Sequence, residues 1–245
     1  MQFYKFNQEV RSISFIPNSV WLFLCLGLLL QIGWHSQKAE RSLKISNLPS
    51  TPKESVIRIF SLDEKIASSK FLMLWLQAFD NQPGISLSFK QLDYDRLISW
   101  LNLIYELDPR SEYPLLSAGR IYTEVPDNVK RKKMLDFVLE KFLEEPGKRW
   151  QWMTHAIYVA KHKMKDLDLA LRLARKIREH TSENQAPYWA RQMEIFILED
   201  KGELESAMII IGGLLDSGEL DDPHQREFLE QRLKEIEQRQ SENLN

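Results

Sequence analysis

Cysteine is nearly absent from this chain of 245 residues. The one copy, Cys25, lies inside an apolar run, so no intrachain disulfide and no cysteine-based metal site can form. That scarcity fits a reducing compartment and equally a periplasmic protein built without disulfides. Glycine is also scarce, at 9 copies, which argues against a loop-rich β-sandwich. No G-x-S-x-G, H-E-x-x-H, Walker A or G-x-G-x-x-G motif occurs. Gly212-Gly213 has neither a strand before it nor a Lys or Ser/Thr after it, so close helix packing is expected there rather than a phosphate loop. The acidic pairs Asp93/Asp95, Glu144/Glu145 and Asp221/Asp222 fall at expected helix boundaries, where capping and the helix dipole account for them. No cofactor, no metal and no catalytic residue is expected.

Charge is missing altogether between Arg11 and Lys38. Residues 16–36 are long enough for a single transmembrane helix, which takes roughly 20 mostly apolar residues, and Trp21 and Trp34 sit near its two ends, where indoles favour the headgroup region. A cleaved signal peptide would need a small-x-small site, whereas the run closes on Gln31-Ile32-Gly33-Trp34-His35. Phe23 and Leu24 are too bulky to precede a lipidated Cys25. Orientation is set by competing signals. Lys38, Arg41, Lys44 and Lys53 after the span would hold the remainder in the cytoplasm, while a short basic start, Lys5 and Arg11, is the layout of a signal anchor that exports the domain behind it. A bacterial inner-membrane protein with a periplasmic domain is the expectation. Pairing through the span itself, at Gln31 with Gly27 or Gly33, is a further option.

What remains has the composition of a folded domain, with 43% hydrophobic and 28% charged residues overall. The expected organisation is a tail at 1–15, the span at 16–36, a linker at 37–52, a helical segment with a loop at 53–92, helical repeats at 93–220, and a capping helix with a tail at 221–245. Thr51-Pro52-Lys53-Glu54 has the form of a capping box, although β-branched Val56-Ile57-Arg58-Ile59-Phe60 leaves a short extended piece open. Ile66, Phe71, Leu74, Trp75 and Phe79 describe a helix apolar nearly all round, hence one expected to be buried on several sides. Asp80-Asn81-Gln82-Pro83-Gly84 is a turn signal. Asp93 or Asp95 caps a helix carrying Leu97, Trp100, Leu101, Ile104 and Tyr105 at helical spacing, and Pro109 stops it at Leu107. From Asp222-Pro223 onward, Phe228, Leu229, Leu233 and Ile236 are expected to face inward.

Two segments align: Lys165-Asp166-Leu167-Asp168-Leu169-Ala170 with Lys201-Gly202-Glu203-Leu204-Glu205-Ser206-Ala207, placing Ala170 and Ala207 37 residues apart. With Asp108-Pro109 followed by Leu115, Gly119 and Tyr122, and with Pro146 and Pro187 before helices starting near Trp150 and Tyr188, the pattern resembles tetratricopeptide repeats (TPR). That resemblance covers about 93–215. It implies an all-α, TPR-like stack of antiparallel helical hairpins, a short right-handed α-solenoid, with a groove for protein partners. Groove candidates are Trp152, His155, Tyr158, His162 and Arg191. His155 and His162, seven apart, share a helix face but lack a third metal ligand. Trp150 and Trp152 read as hairpin-filling residues before groove residues.

Charge is unevenly distributed. From Lys130 to Arg178, Lys and Arg outnumber Asp and Glu 14 to 6, and from Glu199 to Asn245 the ratio is 5 to 13. Lys132, Lys133 and Arg175 thus mark a basic face that either is simply solvated or docks an acidic partner or anionic headgroups. Nucleic acid is not expected, since no exposed aromatics interleave with these charges, and no small-molecule substrate is expected. The function expected is a membrane-anchored protein-interaction scaffold in cell-envelope assembly. The alternatives are a passive subunit of a larger membrane complex, or an enzyme on a glycan or lipid precursor, which would need converging carboxylates or histidines in a pocket.

Overall fold

A computed structural model describes residues 17–37, 47–60, 62–79, 81–82, 85–86, 88–217, 220 and 222–244. The expected tail 1–15, the cations Lys38, Arg41 and Lys44, and Asp80, Pro83, Gly84 and Asp221 lie outside the described residues. The chain divides into two units, Met1–Ser46 and Asn47–Asn245.

In the first unit the described element is α1, Asn18–Gln37. Every residue from Asn18 to Trp34 is exposed, the large apolar ones included. Nothing lies within 4 Å of a Cβ added at Gly27 or Gly33. Among the described residues no helix is long and apolar enough to cross a membrane.

The second unit is all-α apart from a minimal antiparallel pairing of β1 (Asn81–Gln82) with β2 (Ile85–Ser86). Its helices are α2 (Glu54–Phe60), α3 (Lys65–Ala78), α4 (Tyr94–Leu107), α5 (Tyr113–Leu116), α6 (Asn128–Glu144), α7 (Pro146–Tyr158), α8 (Leu167–His180), α9 (Tyr188–Arg191), α10 (Met193–Lys201), α11 (Leu204–Asp216) and α12 (Pro223–Leu244). From α3 to α12 each main helix packs on the next in chain order, and one continuous core runs from Leu48 to Ile236. Packing of sequence neighbours in a row is compatible with a solenoid-like arrangement.

The helix starts follow local chemistry. Asp93 accepts from the Asp95 and Arg96 amides, Asp127 from those of Val129 and Lys130, and Asp166 from that of Leu169, each satisfying orphan donors of a first turn. Pro146 occupies the first turn of α7, so that helix starts four residues before Trp150. In α4, Leu97, Trp100, Leu101, Ile104 and Tyr105 are all buried, as their spacing requires. Leu48 is buried too. Its carbonyl accepts from Arg96, and the Pro49 carbonyl accepts from Trp100 Nε1 at 2.9 Å, so residues 47–50, inside the expected linker, are tied to α4.

The two aligned segments have matching geometry. Lys165 and Gly202 both adopt left-handed backbone (φ 59° and 77°) at the turns that open α8 and α11. Ala170 and Ala207 then sit fully buried one turn inside. A left-handed turn is costless for glycine and costs a lysine roughly 1 kcal/mol.

Four expectations need correction. Helix α2 starts at Glu54, leaving Thr51 and Pro52 outside it, and the stretch from Val56 is helical rather than extended. Helix α3 is buried on one side only, through Ser69, Leu72, Met73 and Leu76, while Ile66, Phe71 and Leu74 face out. Phe228 is half-exposed, its ring 6.5 Å from that of Phe196, although Leu229 and Ile236 are buried. Gly212 and Gly213 have open space where a Cβ would go, so they mark no close helix approach.

These contacts set opposite signs for two substitutions. Ala170→Leu or Ala207→Leu overpacks a helix crossing and should cost about 1–3 kcal/mol in urea unfolding. Gly213→Ala, with nothing to clash, should gain about 0.5–1 kcal/mol from helix propensity. A neutral Ala170→Leu would mean that the crossing is not closely packed.

Candidate functional site

Helix α7 continues as a π-helical stretch, Val159–Met164, before the turn at Lys165. Helix α5 does the same at Ser117–Ile121, followed by a single 3₁₀ turn, Tyr122–Glu124. Thus the first helix of two successive hairpins widens near its end, a distortion often found at functional sites. The buried Thr123 hydroxyl donates to the Gly119 carbonyl at 2.7 Å, and Tyr94 OH donates to the Tyr122 carbonyl at 2.7 Å, holding the first distortion in place.

Across these two stretches the sequence candidates His155, Tyr158 and His162 come together. Their rings form a ladder along one side of α7, with centroids 5.8 Å apart for His155–Tyr158 and 4.7 Å for Tyr158–His162. Tyr158 and His162 are exposed and His155 is partly buried. The α5 extension passes close by: a Cβ added at Gly119 would sit in ordinary van der Waals contact with the His155 ring, at 3.8 Å. Ion pairs flank the ladder on both sides, Lys163 with Glu124 and Lys161 with Asp200 of α10. Burial, then the charges of Arg120 and Lys163, hold the His155 pKa below the usual histidine value, only partly offset by Glu124. His155 is therefore neutral at neutral pH.

The other two groove candidates lie elsewhere. Trp152 is half-buried against the core, as is Trp150, whose ring meets the exposed Trp189 edge-on at 5.5 Å. Arg191 lines a small cavity with Tyr188 and Gln225 and pairs with Glu183. Its Nε and both polar atoms of the Gln225 amide are buried without partners in the described structure.

Each candidate of the expected basic face is engaged inside the fold. Lys132 pairs with Asp136 one turn along α6, and Lys133 reaches across to Asp95 of α4 at 2.5 Å. Arg175 and Arg178 of α8 each bind one carboxylate oxygen of Glu194 at 2.7 Å, and Glu194 is only 1% exposed. Several carboxylates that pair with cations of this segment, Asp95, Glu124, Asp200 and Glu194, lie outside Lys130–Arg178. A carboxylate this deeply buried would be costly without its two guanidinium partners. The same device recurs at Glu199, which receives Arg232 and Arg239 of α12.

One feature had no signal in the sequence. The turns after α4 and α6 open a cleft of about 1160 Å³ lined by Tyr105, Glu106, Arg110, Lys141, Glu144 and Arg149, among others. Two nearly buried cations flank the Tyr105 ring, Lys141 Nζ at 5.0 Å and Arg149 Cζ at 4.9 Å from its centroid. Burial pulls the Lys141 pKa down, but hydrogen bonds to Glu144 and Glu140 outweigh it and hold it above its ordinary value. Glu144 and Glu145 serve Lys141, Lys148 and Arg149 rather than capping a helix. The lining as a whole carries five Lys and Arg against five Glu, so the cleft walls select neither sign of ligand charge. Among the described residues no group of three or more His, Cys, Asp or Glu is placed to hold a metal ion.

The depressed His155 pKa fixes a pH dependence. The unfolded chain takes up a proton near pH 6.5, whereas the folded chain resists it until lower pH. The neutral ring thus contributes stability that is full above about 6.5 and lost as pH falls below that value toward the folded pKa. His155→Gln should lower the unfolding midpoint less steeply than the wild type as pH drops through this window. Parallel curves would mean that the folded and unfolded values coincide.

The chain matches no family model, no curated protein and no solved structure.

Proposed function

We propose that the protein is a membrane-tethered scaffold for protein–protein interaction, with residues 16–36 as the tether and a TPR-like row of hairpins recruiting a protein partner through the His155–Tyr158–His162 side of α7. The observation that carries this reading is the contrast between the ladder and its surroundings. Lys161 and Lys163 beside it are matched by Asp200 and Glu124, while the Tyr158 and His162 rings, tilted against each other with centroids 4.7 Å apart, present solvent-facing aromatic surface. Rings of this kind supply rigid contact area at low entropic cost, the property of residues that dominate interface energies.

Two further observations support the finer parts of the proposal. The matched turns at Lys165 and Gly202, with Ala170 and Ala207 buried after them, fit a repeated hairpin of TPR type. Helix α1 exposes Leu, Phe, Ile and Trp side chains on all sides, which water tolerates poorly and lipid accepts. A bacterial inner-membrane location, with the second unit in the periplasm, belongs to the same proposal and makes cell-envelope assembly the working context.

Two measurements test it. A C-terminal alkaline phosphatase fusion should be active and the matching GFP fusion dark; the reverse pattern would move the second unit to the cytoplasm. In membranes from cells making the full chain, a photo-crosslinker at Tyr158 should capture a discrete protein partner. The same probe at Lys176 on α8 should not. Equal capture at both positions, or none at Tyr158, would rule out the ladder as a docking surface.

A further inference from the structure

Six buried side-chain polar atoms lack a partner among the described residues, and three of them belong to two residues that line one cavity. These are Arg191 Nε and both polar atoms of the Gln225 amide. The cavity lies where four helices meet. Arg178 comes from α8, Arg191 from α9, Leu214 from α11 and Gln225 from the first turn of α12, with Leu220 from the segment between α11 and α12. Its volume is about 20 Å³, and Gln225 is only 9% exposed. The other polar groups around it are committed. Arg178 donates to Glu194, and Glu183 accepts from Tyr188 OH and from Arg191 Nη1, which leaves Arg191 Nε as the unmatched edge of its guanidinium. A donor or acceptor taken out of water and given nothing in return costs the fold, so a cluster of three calls for a ligand.

We infer that this cavity is the site of a single structural water molecule, which joins α9 to α12. Size and chemistry select that occupant independently. A water needs roughly 10–15 Å³ of such space, so this cavity takes one and is too small for an organic ligand. The chemistry is set by counting donors and acceptors. The Arg191 guanidinium stays charged and can only donate, so the occupant must accept, which excludes ammonium and metal cations. The Gln225 amide oxygen can only accept, so the occupant must also donate, which excludes a halide. Exchanging the amide oxygen and nitrogen leaves this count unchanged. Water meets all three demands at once, accepting from Arg191 Nε and from the amide nitrogen while donating to the amide oxygen. Three bonds is the usual number for a buried water. The bridge fixes the start of α12 against α9, while Glu199 of α10 holds Arg232 and Arg239 further along the same helix. Arg191, which stands apart from the ladder, thereby acts in holding the last helix of the row.

The test pairs crystallography with thermal melts, both on the full chain in detergent. Crystals soaked in bromide should show density for one atom about 2.7–3.2 Å from Arg191 Nε and from the Gln225 amide, without an anomalous bromide signal. A bromide peak at that point would replace the water by an anion. A closed cavity, with Arg191 Nε bonded directly to Gln225, would remove the site. For the melts, Arg191→Lys keeps a cation for Glu183 but has no Nε–H, and Gln225→Met keeps the length of the side chain without its polar atoms. Each strips the water of a partner and leaves the other residue unmatched, so each should melt about 2–4 °C below the wild type. Because both act on the same water, the double variant should fall little below the less stable single one. Additive losses would mean that the two residues share no ligand. A Gln225→Met variant as stable as the wild type would mean that the amide had no ligand to lose.

Discussion

A helix laid in a row has two sides to cover, and the second unit is organised by how each helix meets that requirement. Between α4 and α12 the answer is the next helix along, drawn close by small residues at the crossings. Ala170 and Ala207 are both fully buried small residues in the shared core where successive helices pack. Removing surface from water drives each contact at about 25 cal/mol per Å² of apolar area, but close approach at the alanines decides which helix meets which. Only α3, at the start of the row, keeps a large apolar side uncovered.

Charged residues provide the second layer of order. Buried Glu194 and partly buried Glu199 each receive two arginines from another helix, which links α8 to α10 and α10 to α12. Such clusters add little net stability over an apolar filling, because desolvation offsets the attraction. What they add is register: a helix shifted by one residue would strand a carboxylate in the core. Lys130 does comparable work without a carboxylate, donating to the Lys90 and Leu92 carbonyls at 2.6 and 2.9 Å over the Tyr94 ring.

The row was readable where signals are local. The Asp93 cap, the apolar periodicity of α4, the stop at Leu107 and the small residues at 170 and 207 rest on interactions within a few positions of one another. Two kinds of feature were not. Whether the outer side of α3 is covered depends on which neighbours exist, and periodicity cannot distinguish Phe71 from Leu72. Charge counted along the sequence also misleads, because the matching carboxylates come from distant segments. Lys133 finds Asp95, and Arg175 finds Glu194. At the candidate site, spacing placed His155, Tyr158 and His162 on one helix face, but nothing in it marked the π-helical stretches or separated Arg191 from that group. The Tyr105 cleft draws on the ends of α4, α6 and α7 and had no contiguous signature.

The matching of cations across helices has a kinetic consequence. A surface whose charges are closed into short ion pairs projects only dipoles, whose field fades within a few ångströms, and a net charge of −2 over the whole chain adds little beyond that. A partner approaching the ladder would be neither drawn in nor repelled at long range. Its capture would proceed at the unsteered rate, on the order of 10⁵–10⁶ M⁻¹s⁻¹, and would respond weakly to ionic strength. Encounter would then be governed by local concentration and orientation rather than by attraction from a distance.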